Sequence, residues 1–201
     1  MNRFFHSDPV GLPGLAAIAL GFLLFLLALG AAWLRAGRGT DVAVTRRRNA
    51  SIIWLLVQGI GIGVAGMGPI IVGLDPMSPK AIAQGIAVLA LMVAAIGLFD
   101  ASSRTMGKNW SLVARTREDH QLVQHGPFAL VRHPIYIALF LFMIAMAIAY
   151  GHLTNLILAV PLYAVATWLR VRHEERILRE QFGSAYDAYA ARVKRFVPGL
   201  F

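Results

Sequence analysis

IYIALFLFMIAMAIAYGHLTNLILAVPLYAVATWL, residues 135–169, runs 35 residues without one Asp, Glu, Lys or Arg. As a single helix it would extend about 52 Å at 1.5 Å per residue, whereas about 20 apolar residues already cross a hydrocarbon core of roughly 30 Å. Its centre, Tyr150-Gly151-His152-Leu153-Thr154-Asn155, gathers Gly and polar side chains as a turn does. The stretch is therefore predicted as two short helices, 135–150 and 154–169, folded into a tight hairpin that enters and leaves the bilayer on one side.

Working outward, three further uncharged stretches occupy 10–34, 49–74 and 81–99, each long enough for one crossing. The first is too long for a secretory signal and lacks a small-residue cleavage site, so it is expected to be a retained helix. Five spans result, and the composition agrees. Of 201 residues 58% are hydrophobic and 14% charged, and the mean hydropathy is +0.64. Soluble domains are nearer half apolar and a quarter charged. With no Cys in the chain, disulfide frameworks, Cys-based zinc sites and thiol catalysis are excluded. The fold class expected is an all-α integral membrane protein with five transmembrane helices and a C-terminal amphipathic cytoplasmic helix. Residues 1–99 would hold three of the spans, and 100–201 would be the catalytic region.

The nineteen Lys and Arg against ten Asp and Glu test the span count. With the N-terminus outside and five crossings, outer segments carry only Arg3 and Lys80. The other seventeen, from Arg35 and Arg38 through Arg46–Arg48 and Arg115 to Arg195, face inward. That is the asymmetry of cytoplasmic loops, and four spans would spoil it. Anionic headgroups account for the net charge of +9 without nucleic acid. Gly59 and Gly63 on the second span stand at the small-xxx-small spacing that permits close helix packing.

Polar chemistry collects on the inner face. The loop 100–134 is long and polar, and it meets the start of the fourth span at Arg132-His133-Pro134. Pro134 suits a first helical turn, where its missing N–H has no partner. An antiparallel pair brings Arg132, His133 and Tyr136 to the same membrane face as Arg170 and Glu174, themselves at i and i+4. Singly, such groups read as snorkelling arginines, a helix cap and a surface ion pair. Five together mark a site. Beyond them the fifth helix is expected to stop at Gly183. Tyr186, Tyr189, Val193 and Phe196 then form a stripe suited to a helix on the membrane surface, or one folded back over the pocket.

The series Gly126-Pro127-Phe128-Ala129-Leu130-Val131-Arg132-His133-Pro134-Ile135-Tyr136, followed by Glu174-Glu175 and Gly183-x-x-Tyr186-x-x-Tyr189-x-x-x-Val193, resembles the isoprenylcysteine carboxyl methyltransferase family. That family belongs to a wider group that includes phospholipid N-methyltransferases. The likeness covers about residues 100–198, including Gly107-Lys108-Asn109-Trp110-Ser111. It implies S-adenosyl-L-methionine as methyl donor, in keeping with the lack of a Gly-x-Gly-x-x-Gly fingerprint. By position, the family's donor site falls on His120, Gln121, Leu122, Val123, Phe128, His133, Pro134, Ile135, Tyr136 and Glu174. Its substrate-positioning arginine falls on Arg170. A cationic sulfonium suits the rings of Phe128 and Tyr136 and the Glu174 carboxylate. An ionised substrate carboxylate needs alignment by a guanidinium fork rather than a base.

Two positions depart from the family pattern. Phe128 replaces a usual Tyr, and Ala138 a common Gly. The resemblance thus implies carboxyl O-methylation of a lipid-tailed or prenylated substrate, with no metal, in what compact size suggests is a bacterial inner membrane. Competing readings are a phospholipid or amine N-methyltransferase, for which His120, His125 and His133 are the available bases, an NADPH-dependent sterol-type reductase, and a non-catalytic scaffold. The reductases carry Asn after Arg-His-Pro, where this chain has Ile135.

Overall fold

Prolines open three of the helices, because a first turn has no use for the N–H that proline lacks. Pro13 lies in the first turn of α1 (Leu12–Arg35), and Pro79 and Pro134 begin α3 (Pro79–Met106) and α4 (Pro134–Tyr150). The remaining helices are α2 (Thr45–Ala65), α5 (Leu156–Phe182) and α6 (Ser184–Arg192). These assignments come from a computed structural model that describes residues 7–36, 45–111 and 121–200, with backbone alone for 45–52. Expectations for Arg3, Arg38, Arg115, Arg117 and His120 lie outside the described residues, as do those for the side chains of Arg46, Arg47 and Arg48. Among the described residues there is no strand, only two isolated bridges, Val10 with Val72 and Val131 with Lys194.

The segments Leu12–Arg35, Pro79–Asn109 and Leu153–Phe182 are each long and apolar enough to cross a membrane; Ile53–Ala65 and Pro134–Tyr150 are shorter apolar helices. Large apolar side chains such as Leu23 and Leu27 of α1 are more than half exposed, which befits an integral membrane protein whose outer surface meets lipid.

The second apolar stretch, 49–74, is not helical to its end. α2 stops at Ala65, and Gly68 at φ +137° followed by Pro69 prevents its continuation. Residues beyond it extend instead and pair with the N-terminal segment, where the Val10 N–H donates to Ile71 O at 2.9 Å. The turn at 151–155 ties into the same region. Asn155 Nδ2 donates to the carbonyls of Val64 and Met67 at 3.1 and 2.7 Å, which satisfies acceptors left at the end of α2. Gly151, at φ +75°, has no room for a Cβ against the carbonyl of Asp8.

The helices sort into two groups. α3 packs extensively on α1 and α4, and α2 on α5, while packing between the groups is lighter. α4 and α5 follow one another through the turn at 151–155, but each finds its main partner elsewhere. In the first group Ile18, Val88, Met92 and Phe142 form one core cluster, and Phe25, Phe99 and Trp110 another. Across the divide, Met143 and Ala147 of α4 meet Ala159 and Tyr163 of α5. The expected close approach at Gly59 and Gly63 is absent, since a Cβ on either meets nothing within 4 Å. Gly61 takes that role, with its Cβ position 3.1 Å from the backbone nitrogen of Tyr163.

α5 runs past the apolar stretch to Phe182 and is capped by Gly183 at φ +52°. α6 then returns to the protein. Tyr186 and Tyr189 are buried within it, whereas Val193 and Phe196 fall beyond its end. The aromatic stripe is thus not one helix lying on the bilayer; its tyrosines face the protein. The chain that follows is clamped by Arg132 N–H to Lys194 O at 2.8 Å and His133 N–H to Arg195 O at 3.1 Å.

Candidate functional site

A cavity of roughly 330 Å³ lies between the two helix groups at the end where α4 begins and α5 leaves the apolar layer. Gln121, Leu122, Val123, Phe128, His133, Pro134, Ile135, Tyr136, Arg170 and Glu174 all line it. These are all the sequence-predicted site residues except His120, which is outside the described residues. Phe25 and Leu29 of α1, with Leu55, Gly59 and Ile62 of α2, give the rest of the wall an apolar character.

Glu174 and Arg170 share the polar end. Arg170 Nε donates to Glu174 Oε1 at 3.1 Å, and Tyr136 Oη donates to the same oxygen at 2.6 Å. The Arg170 guanidinium also stands over the Tyr136 ring, 5.3 Å from its centroid. Arg170 is 6% exposed, so this is a buried group and not the exposed ion pair that i, i+4 spacing alone suggests. Tyr136 is held in turn through its backbone, whose carbonyl accepts from Tyr163 Oη at 2.6 Å.

The neighbouring Glu175 does different work. Its carboxylate accepts from Arg132 at 2.8 and 3.1 Å and from Arg195 at 2.6 and 3.0 Å, and lies 3.3 Å from His133 Nε2. Arg132 further donates to the carbonyls of Ala190 and Val193. Arg132 therefore borders the cavity, yet its fork fastens the chain after α6 and does not snorkel. His133 precedes α4 without capping it through its side chain; its ring stands between the two carboxylates, with Nδ1 3.9 Å from Glu174 Oε2.

α6 completes the wall with Tyr186 and Tyr189. Tyr189 Oη donates to Phe128 O at 2.7 Å, which holds the Gly126–Ala129 turn against the cavity. Burial pushes the Tyr189 phenol up to about 12 and raises Tyr186 as well, so both stay neutral at physiological pH. Arg195 is raised, first by its hydrogen bond to Glu175.

Sequence reasoning missed three contributors. Gln58, on a helix read only as a span, is 1% exposed and lines the cavity; a lone amide in an apolar stretch was its signal. Glu175 was passed over for its neighbour. Trp110, 4% exposed and 6.2 Å from Phe99 edge-on, closes the side towards α3. Among the described residues no three His, Asp or Glu side chains gather as a metal site. The arrangement offers a carboxylate beside an aromatic face, a buried guanidinium next to it, and an apolar trough leading away.

Comparison with known proteins bears on this geometry. The family model for phospholipid methyltransferases matches residues 83–185, from α3 into α6. The chain is 34% identical over 100 residues to a protein-S-isoprenylcysteine O-methyltransferase of Tribolium castaneum, covering 47% of this chain and 34% of that one. It is 32% identical over 100 residues to protein-S-isoprenylcysteine O-methyltransferase B of Arabidopsis thaliana, covering 47% and 49%. It is also 29% identical over 110 residues to a nickel-cobalt-cadmium resistance protein of Alcaligenes xylosoxydans xylosoxydans, covering 52% and 49%. The matched region spans about half or less of the length of these curated relatives.

Proposed function

From the premise that this chain belongs to the phospholipid methyltransferase family, we propose that it is a membrane methyltransferase that uses S-adenosyl-L-methionine to methylate the carboxylate of an isoprenylcysteine-like amphiphile. The observation that carries the reading is the pairing of buried Arg170 with partly exposed Glu174 at the Tyr136 ring, on the wall of a largely apolar cavity. The pair holds one charge of each sign where a cationic donor and an anionic acceptor must meet.

When bound, the donor supplies a methyl group on a cationic sulfur that leaves as a neutral thioether once an acceptor oxygen has taken the methyl. Glu174 and the Tyr136 ring favour positive charge beside them, through ion pairing and the ring's quadrupole. Gln121, Leu122, Val123, Phe128, His133, Pro134 and Ile135 shape the rest of the donor's wall, and His120 belongs to the same set by resemblance. Arg170 aligns the acceptor carboxylate through its planar fork, and no proton has to move. Trp110, Tyr186 and Tyr189 keep water from the reacting atoms. A lipid tail lies along Leu29, Leu55 and Ile62, entering sideways between helices.

Five crossings, with the N-terminus outside and the site on the cytoplasmic side of a bacterial inner membrane, complete the reading. α4, at 17 residues, rises about 26 Å, close to the hydrocarbon thickness. The inward bias of Lys and Arg supports the orientation. An amine acceptor fits less well, because it must shed a proton. The imidazole on the cavity wall, His133, already faces carboxylates through both ring nitrogens.

The test is transfer from methyl-labelled S-adenosylmethionine by the full chain in detergent, offered N-acetyl-S-farnesylcysteine or phosphatidylethanolamine vesicles. A base-labile methyl ester on the farnesylated acceptor is expected. Label in the phospholipid headgroup, with none on the farnesylated acceptor, overturns the carboxylate reading.

A further inference from the structure

Gln58 stands on α2, outside the segment matched by the family model, lines the cavity and is hydrogen-bonded to Arg170. Its amide nitrogen donates to Thr167 Oγ1 at 2.7 Å, and its carbonyl oxygen accepts from Arg170 Nη1 at 3.4 Å. The amide has only one workable orientation here. Guanidinium offers donors only, so the oxygen must face Arg170 and the nitrogen must face the hydroxyl. Thr167 lies on α5 one turn before Arg170, and it is 4% exposed. Arg170 is thus held by Glu174 at Nε, by Tyr136 against its face and by Gln58 at Nη1, among other contacts.

Glu174 and Gln58 differ in charge as hydrogen-bonding partners of Arg170. Glu174 neutralises the guanidinium formally, whereas Gln58 orients it without adding a second negative charge. A carboxylate at position 58 would give Arg170 two anionic partners and leave it little attraction for an anionic acceptor. We infer that Gln58, braced by Thr167, is a positioning residue that sets the Arg170 fork towards an acceptor carboxylate, and that its neutrality is what lets Arg170 recognise an anion. This rests on the carboxylate-methylation reading above. It assigns α2 a part in acceptor alignment, not merely in spanning the bilayer.

Three variants in the full chain separate alignment from folding. Gln58→Leu is expected to lower kcat on N-acetyl-S-farnesylcysteine by about tenfold to a hundredfold, as small misplacements of an aligning group do. Gln58→Glu is expected chiefly to raise KM for that acceptor, by about tenfold, because the anion is then repelled rather than misaligned. Gln58→Asn, which keeps the amide, should recover part of the Leu variant's loss. Binding of S-adenosylhomocysteine by calorimetry is expected to stay within about threefold of wild type in all three. In an Arg170→Lys background, Gln58→Leu should add almost nothing, since the two act as one unit.

A Gln58→Leu protein that binds S-adenosylhomocysteine normally and turns over at the wild-type rate overturns the inference. So does a parallel loss of donor binding and turnover in both the Leu and Glu variants. A readout without turnover keeps this separate from the acceptor reading. In arginine-labelled protein, rotation of the Arg170 guanidinium should be slow in wild type and fast in Gln58→Leu. Slow rotation in both overturns the positioning role whatever the acceptor proves to be. Inactivity of the wild type on the farnesylated acceptor with a Gln58-dependent rotation would instead refute only the acceptor class.

Discussion

At about 100° per residue, Glu174 and Glu175 leave α5 in different directions, and their environments follow. Glu174 turns to the cavity with Arg170 and Tyr136, while Glu175, 3% exposed, turns to Arg132, Arg195 and His133. Removing the second carboxylate leaves a buried arginine without its counter-charge. Glu175→Leu should therefore cost about 3 to 5 kcal/mol, seen as a lower thermal midpoint in detergent, whereas Arg172→Ala, at an exposed position, should leave the midpoint nearly unchanged. Arg170→Ala should abolish methyl transfer while S-adenosylhomocysteine still binds by calorimetry; equal loss of both would refute the division between acceptor and donor groups. The sequence pattern led to Glu174, Arg170, His133 and Tyr136 because ionisable groups are rare at the edge of an apolar span. It did not reveal the role of Glu175, nor that Arg132 fastens the chain after α6, because both depend on partners at 190–195 that no local spacing predicts.

Among elements, α2 shows most clearly what periodicity can and cannot tell. Its glycines announce a closely packed helix, and spacing alone favours Gly59 and Gly63. The face is decided by α5, whose Tyr163 backbone lies against Gly61, while Gly59 opens on the cavity. Gly61→Leu should then destabilise by about 1 to 3 kcal/mol through overpacking. Gly63→Leu, with space around it, should change the melting midpoint by less than about 0.5 kcal/mol equivalent. A common midpoint for the two would refute the packing described. The end of α2 is hidden from hydropathy for a related reason. Hydropathy continues to residue 74, but Gly68 and Pro69 break the helix, and the extended chain that follows is paired by Val10, 62 residues earlier than Val72. α1 and α4 are legible to within about two residues, since apolar length and, for α4, Pro134 mark their bounds locally. α3, by contrast, continues past the apolar stretch 81–99 to Met106, into residues whose polar side chains read as the start of the loop 100–134.

For the molecule as a whole, the two helix groups meet less closely with each other than within themselves, and the cavity occupies their divide. The cavity draws Phe25, Phe99 and Tyr136 from one group and Gln58 and Arg170 from the other. A ligand seated there would touch both. Its binding free energy then adds to cohesion across the line where the two groups pack most lightly, by mass action rather than by any new protein contact. S-adenosylhomocysteine at about 100 times its Kd should stabilise the folded chain by about 2.7 kcal/mol, measurable as a rise in melting midpoint, and a flat response would deny that the cavity is the donor site. If the cavity is the donor site proposed above, heat resistance becomes a gauge of its occupancy, and the protein's abundance in a cell would then track the supply of methyl groups.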